Sequence, residues 1–144
     1  MIEKNPTMIR LFAIIFFLGL NAGLSAQKNA ADYLTSGRDK HARGQISAAI
    51  TDYNKAISLD KNNAEGYYYR GNAQFDLKNY KAAVEDFTQC LKLEPAHKDA
   101  LYNRGNAWYE LGKFEQALED FTRLIRIELS IAPVIVTFRI VLIK

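Results

Sequence analysis

The side chains able to do chemistry are few and scattered. His41 and His97 are the two histidines and Cys90 is the sole cysteine. A protein-bound metal needs ligands at short, defined spacings, and neither histidine has another His or a Cys at such a distance. One cysteine permits no internal disulfide, and its place at a small core position on the helical face of Ala83, Phe87 and Leu91 predicts a buried, inert thiol rather than a nucleophile. There is no phosphate-cradling glycine loop and no nucleophile elbow. Glu85–Asp86 and Glu119–Asp120 could in principle divide general acid and base work, but they recur at a fixed interval, which favours structural and surface roles. The sequence therefore assigns no catalytic residue, no metal, no cofactor and no small-molecule substrate.

The charged residues that remain informative are Arg70 and Arg104, each followed by a glycine. Both fall on inward-facing positions, and an inward charge is costly unless paired. Asp86 and Asp120 are the candidate partners, with Asp52 a possible partner from the preceding segment. Two readings are open, an anion site and a structural ion pair. Recurrence of the arrangement favours the ion pair.

The elements that position these residues follow from an internal repeat. Gly37, Gly71 and Gly105 stand 34 residues apart. So do Ala49, Ala83 and Ala117; Asp52, Asp86 and Asp120; Tyr53, Phe87 and Phe121; and Ile57, Leu91 and Ile125. The register is unbroken over units 30–63, 64–97 and 98–131. A period of this length points to stacked helical hairpins, which build binding surfaces. Ala82, Ala83, Phe87, Cys90 and Leu91 follow the spacing of one buried helical face. Gly44 and Gly112 sit where a left-handed residue ends the first helix of a unit, and Pro95 stops the second helix of the middle unit. The predicted helices are 30–43, 46–59, 64–77, 80–93, 98–111 and 114–128.

These residues resemble the tetratricopeptide repeat. Tyr67, Gly71, Ala83, Phe87 and Pro95 carry the likeness in the second unit, and Gly105, Trp108, Ala117 and Phe121 in the third. Lys40 and Gln74 stand where an aromatic is usual, Cys90 and Leu124 where Ala is usual, and Lys61 replaces the Pro. The resemblance implies an all-α fold: a right-handed solenoid of about three helix-turn-helix units whose first helices line a concave face. On that face it places Leu34, Arg38 and His41, then Tyr68, Asn72, Phe75 and Asp76, then Tyr102, Asn106, Tyr109 and Glu110. Spacings of three and four keep each set on one stripe. Asn72 and Asn106 suit gripping a peptide backbone, and the tyrosines offer rigid contact area. Packing of unit on unit is the competing use for the aromatics.

Some members of the family hold acidic chaperone tails through a carboxylate clamp of Lys, Asn and Arg. Asn72 and Asn106 would supply the amides, but Leu34 and Tyr68 occupy the first cationic position and Asp99 and Asn103 the others. The resemblance does not extend to that subtype. It implies instead a scaffold or adaptor with a protein or peptide partner. Of the 144 residues, 24% are charged and 49% hydrophobic, with a net charge of +3 and no long basic run. That composition fits one globular domain and argues against nucleic acid as the main partner.

Both termini differ from the repeats. Lys4 and Arg10 precede an apolar run from Leu11 to Leu20, followed by NAGLSA. This is the order of a secretory signal peptide over residues 1–26, with cleavage after Ala26 and export to the periplasm or beyond. An uncleaved membrane anchor, tethering a subunit of an envelope complex, is the alternative, although the run is short for a span. No Cys follows it to carry a lipid. Residues 132–144 are rich in β-branched side chains and are predicted as an apolar strand, as if a longer array had been truncated or shifted in frame.

Overall fold

The structure, a computed structural model, describes residues 28–141, of which 131–141 only as helical backbone. The signal segment 1–26 and the last three residues lie outside the described residues. Six helices follow one another: α1 (Ala30–Ala42), α2 (Ile46–Leu59), α3 (Ala64–Asp76), α4 (Tyr80–Leu93), α5 (Lys98–Glu110) and α6 (Phe114–Val141). There is no strand among the described residues. Each helix packs on its neighbour in sequence, and the first helices of successive units also touch, α1 with α3 and α3 with α5.

Each hairpin is delimited by the same local chemistry. Asn29, Asn63 and His97, again 34 apart, cap α1, α3 and α5 by accepting a hydrogen bond from the backbone N–H three residues on. Asn29 and Asp32 do so reciprocally, at 3.0 and 2.9 Å. The turn within each hairpin has one left-handed residue: Gly44 at φ 76°, Lys78 at φ 61° and Gly112 at φ 71°. In all three the following N–H returns to a carbonyl five residues back, Gln45 to Lys40, Asn79 to Gln74 and Lys113 to Trp108, each at 2.9 Å. Lys78 adopts this conformation without glycine's freedom, at a cost of about 1–2 kcal/mol.

The helices close on small residues. A Cβ added to Gly71 would lie 2.7 Å from Phe87 Cε1, and one added to Gly105 would lie 2.6 Å from Phe121 Cε1. Glycine therefore lets the aromatic of the second helix lie against the backbone of the first. Phe87, Cys90, Leu91, Ala100, Leu101 and Ala107 form a core continuous across α4 and α5. Leu34, Ala49, Tyr53, Ala56 and Ala73 form its counterpart across the first two units.

Over 132–141 the expected strand is instead a continuation of α6, which runs 28 residues to Val141. The first two units break their second helices at Asp60–Asn63 and Glu94–His97, with a capping residue and, in the second, Pro95. The third unit has Glu128, Leu129, Ser130 and Ile131 there, with no proline and no cap. Helix extension adds one hydrogen bond per residue fixed, whereas a lone strand needs an edge to pair with, and the described residues offer none. Pro133 withholds one N–H from the extended ladder. Among the described residues, no helix is long and apolar enough to cross a membrane.

The two ends of the stack differ. On α4, Val84 and Leu91 are buried beneath α5. Their counterparts on α6, Leu118 and Ile125, are 66% and 56% exposed because no described helix follows. At the other end, α1 carries Asp32 and Asp39 where α3 and α5 have Gly66 and Ala73, or Ala100 and Ala107. That face of α1 is polar.

Candidate functional site

The site is braced by arginines that join helices. Arg70 Nε and Nη2 donate to Asp86 Oδ2 and Oδ1 at 2.9 and 2.6 Å. Arg104 makes the same fork to Asp120 at 2.8 and 2.6 Å. In each case Nη1 reaches back to the preceding unit, from Arg70 to Asn54 Oδ1 at 2.6 Å and from Arg104 to Thr88 Oγ1 at 3.1 Å. Two-pronged geometry makes these strong pairs. The Asp86 hydrogen bonds raise the Arg70 guanidinium above its ordinary range and hold it charged. All three repeat aspartates are buried, and the forks to Asp86 and Asp120 leave neither Arg70 nor Arg104 free to receive an anion.

The first unit solves the same problem differently. Ser36 stands where the arginine would be, and its Oγ donates to Asp52 Oδ2 at 2.6 Å. Lys40 supplies the charge, with Nζ 2.6 Å from the same oxygen. Burial alone would raise the Asp52 carboxyl; the bonds from Lys40 and Ser36 overcome it and hold the carboxyl below its usual value. Asp52 thus pairs within its own hairpin and not with Arg70. The spacing of Lys40 four residues after Ser36 was the available signal.

Two adjoining concavities run along the first helices. The larger, about 730 Å³, is bordered by Thr35, Arg38, Asp39, Tyr53, Tyr69 and neighbouring residues of α1 and α3. The smaller, about 400 Å³, adds Phe75, Asn103 and Asn106. His41, Asn72 and Asp76 border both. Six of the expected groove residues therefore meet here: Arg38, His41, Asn72, Phe75, Asp76 and Asn106.

The others go elsewhere. Tyr68 is partly buried between units, its ring centroid 4.8 Å from that of His97 and 5.2 Å from that of Tyr69. Packing is the use it serves. Tyr102 and Tyr109 are exposed and lie beside Phe121 and Phe114 at the far end of the stack. Glu110 is exposed at the end of α5 and borders neither concavity.

Within the groove the polar groups are partly committed. His41 Nε2 and Asp76 Oδ2 are 2.7 Å apart and tie α1 to α3. Asn103 Nδ2 donates to Asn72 Oδ1 at 2.8 Å and ties α3 to α5. The Arg38 guanidinium carbon sits over the Tyr69 ring, 4.9 Å from its centroid, and the side chain makes no ion pair with a described residue. Beneath them lies Tyr53, with no exposed surface. Its hydroxyl is, among the described residues, the one buried side-chain polar atom without a hydrogen-bond partner. Such an atom costs about 1–3 kcal/mol. Sequence reasoning used Tyr53 only as a packing aromatic; the signal was that its counterparts, Phe87 and Phe121, lack the hydroxyl.

The remaining reactive groups are committed as well. Burial pushes the Cys90 thiol up to about 12, so it carries no thiolate near neutrality. His97 Nδ1 accepts from the Ala100 N–H at 3.2 Å as a helix cap. Among the described residues, no three His, Cys, Asp or Glu side chains gather as metal ligands.

The geometry has clear parallels. A sequence model described as TPR repeat matches residues 37–78, and one described as tetratricopeptide repeat matches residues 70–128. No curated protein matches the sequence. Among solved structures, the second TPR of Spaghetti (RPAP3), bound to the HSP90 peptide SRMEEVD, is 28% identical with a TM-score of 0.68, over 69% of this chain and 93% of that one. The second TPR domain of human RPAP3, in complex with the HSP70 peptide SGPTIEEVD, is 29% identical with a TM-score of 0.67, over 69% and 82%. MamA is 27% identical with a TM-score of 0.69, over 72% of this chain and 60% of that one.

Proposed function

The chain belongs to the tetratricopeptide-repeat family and is a protein-interaction module, and from that premise we propose that it is a non-enzymatic adaptor holding a peptide segment of a partner along its first helices. The observation that carries this is the continuous groove from Arg38 to Asn106, walled by amides and a stacked Arg–Tyr pair. The similar RPAP3 domains are bound to peptides ending in EEVD, which supports an extended segment as the occupant. The segment preferred here is not a polyacidic tail, because Leu34, Tyr68, Asp99 and Asn103 put no cation where a clamp would need one, and Asp39 and Asp76 border the groove.

The test is a displayed peptide library panned on the full chain, followed by substitution of the best binders' site. Changing Asn72 and Asn106 together to Ala weakens the selected peptides at least about tenfold, the effect of removing one strong contact. Thermal stability falls by no more than about 1 kcal/mol, the worth of the Asn103–Asn72 hydrogen bond. Unchanged affinity sinks the groove assignment.

The proposed location is outside the cytoplasm. The order of charged, apolar and small residues over 1–26 supports it. Sequencing the N-terminus of the product recovered from the exported fraction reads Gln27 first; an intact Met1 in that fraction favours the anchored form, and retention in the cytoplasm overturns export.

A further inference from the structure

The outer face of α6 keeps an apolar stripe that no described helix covers. Leu118, Ile125 and Leu129 are 66%, 56% and 64% exposed. With Thr122 among them they stand four, three and four residues apart, the spacing of a helix–helix seam. The stripe is also longer than its counterparts, since Leu129 stands where the earlier units have Lys61 and Pro95. In those units the same face is closed by a first helix carrying small residues, Gly66 and Ala73 on α3 and Ala100 and Ala107 on α5. The matching positions on α1 hold Asp32 and Asp39. If α1 of a second copy lay on α6 in the same way, it would set two carboxylates against Leu118 and Ile125, and burying unpaired charge is costly. The charges of α1 therefore oppose a head-to-tail stack of copies.

Charge along the stripe favours another orientation. Glu115 and Glu119 flank its N-terminal half and Arg123 and Arg126 its C-terminal half, all bordering one furrow of about 450 Å³. Arg123 donates to the Pro95 carbonyl at 2.6 Å, whereas Glu119 and Arg126 make no ion pair with a described residue. A two-fold contact sets a patch against its own copy, so the patch must complement itself. A flank that is acidic at one end and basic at the other does so when the two helices run antiparallel: Glu119 of each copy then faces Arg126 of the other. Run parallel, the helices would oppose like charges. The antiparallel register also places Leu118 opposite Leu129 and Thr122 opposite Ile125, so the whole stripe is covered.

We propose that α6 is a self-association surface, through which two copies of this chain pair as antiparallel helices along Leu118, Thr122, Ile125 and Leu129. The contact is isologous, so it closes at a dimer. It lies on α6 and not on the concave face, so it stands or falls independently of the groove reading. The seam is about three turns long, which suits a reversible dimer with a dissociation constant in the micromolar range.

The experiment is sedimentation velocity on the full chain over a range of concentrations. The parent passes from monomer to dimer as concentration rises. Glu119→Arg and Arg126→Glu each weaken the dimer at least about tenfold, because both symmetry-related pairs become like-charged. An equimolar mixture of the two variants dimerises again at about the parent affinity, since every Glu–Arg pair is re-formed across the mixed contact. Both positions are exposed, so each variant alone melts as the dilute parent does, and rescue by mixing shows that both are folded. Ile125→Asn, within the seam, also weakens the dimer at least about tenfold. A parent that stays monomeric at every concentration, association that runs past the dimer, single variants that dimerise as the parent does, or a mixture that stays monomeric overturns the proposal. So does binding of a synthetic peptide of residues 98–111 to α6 of a monomeric chain, which would show that the stripe receives a further first helix instead.

Discussion

Replacing Arg104 by alanine removes about 3–5 kcal/mol of stability, the loss expected when one partner of a buried ion pair is deleted. Its side chain is 17% exposed and that of Asp120 only 4%, so solvent cannot take over the bonds Arg104 leaves. The change also deletes the bond to Thr88 in the preceding unit. For a domain of this size the melting temperature drops by more than about 10 °C. The double change of Arg104 and Asp120 to Ala recovers part of the loss, because the buried carboxylate goes with its partner. A melt within error of the parent would show Asp120 to be hydrated after all.

Replacing Phe87 by alanine is comparably damaging, at about 3–5 kcal/mol. The ring has no exposed surface and lies against Gly71, where even a Cβ would come within 2.7 Å. Both sides of the cavity are fixed: Gly71 has no side chain to lean in, and the helix backbones are held by Arg70 and Asp86. The equivalent change at Phe121 has a smaller effect, since that ring is only partly buried at the uncovered end of the stack. Chemical denaturation of the two variants side by side decides it. Equal losses would mean that the third unit is as tightly covered as the second.

Features set within one hairpin could be read from the sequence, and features set between hairpins could not. The period locates all six helix starts, and the glycine–aromatic columns at Gly71–Phe87 and Gly105–Phe121 become direct contacts. The Arg–Asp pairs, sixteen residues apart in sequence, likewise follow from one hairpin. Tyr68 illustrates the other case. Its stripe assigns it to the groove, but His97, from the loop before the next unit, draws it into the packing. Lys40 illustrates a third: an apparent departure from the repeat supplies the charge that Ser36 cannot. The end of α6 was misread because β-branched residues favour strands only where a pleated neighbour exists, and the uncapped stretch from Glu128 to Ile131 carried the stronger instruction.

The backward reach of the arginines gives the chain an order of assembly. Arg70 needs Asn54, and Arg104 needs Thr88; each acceptor lies sixteen residues nearer the N-terminus. Asp52, by contrast, is satisfied by Ser36 and Lys40, both already present when it arrives. As the chain leaves the ribosome, the arginine of each later hairpin meets an acceptor that was made before it. Domains generally fold as units, N-terminal first during synthesis, and the backward-reaching bonds of Arg70 and Arg104 suit that direction along the stack.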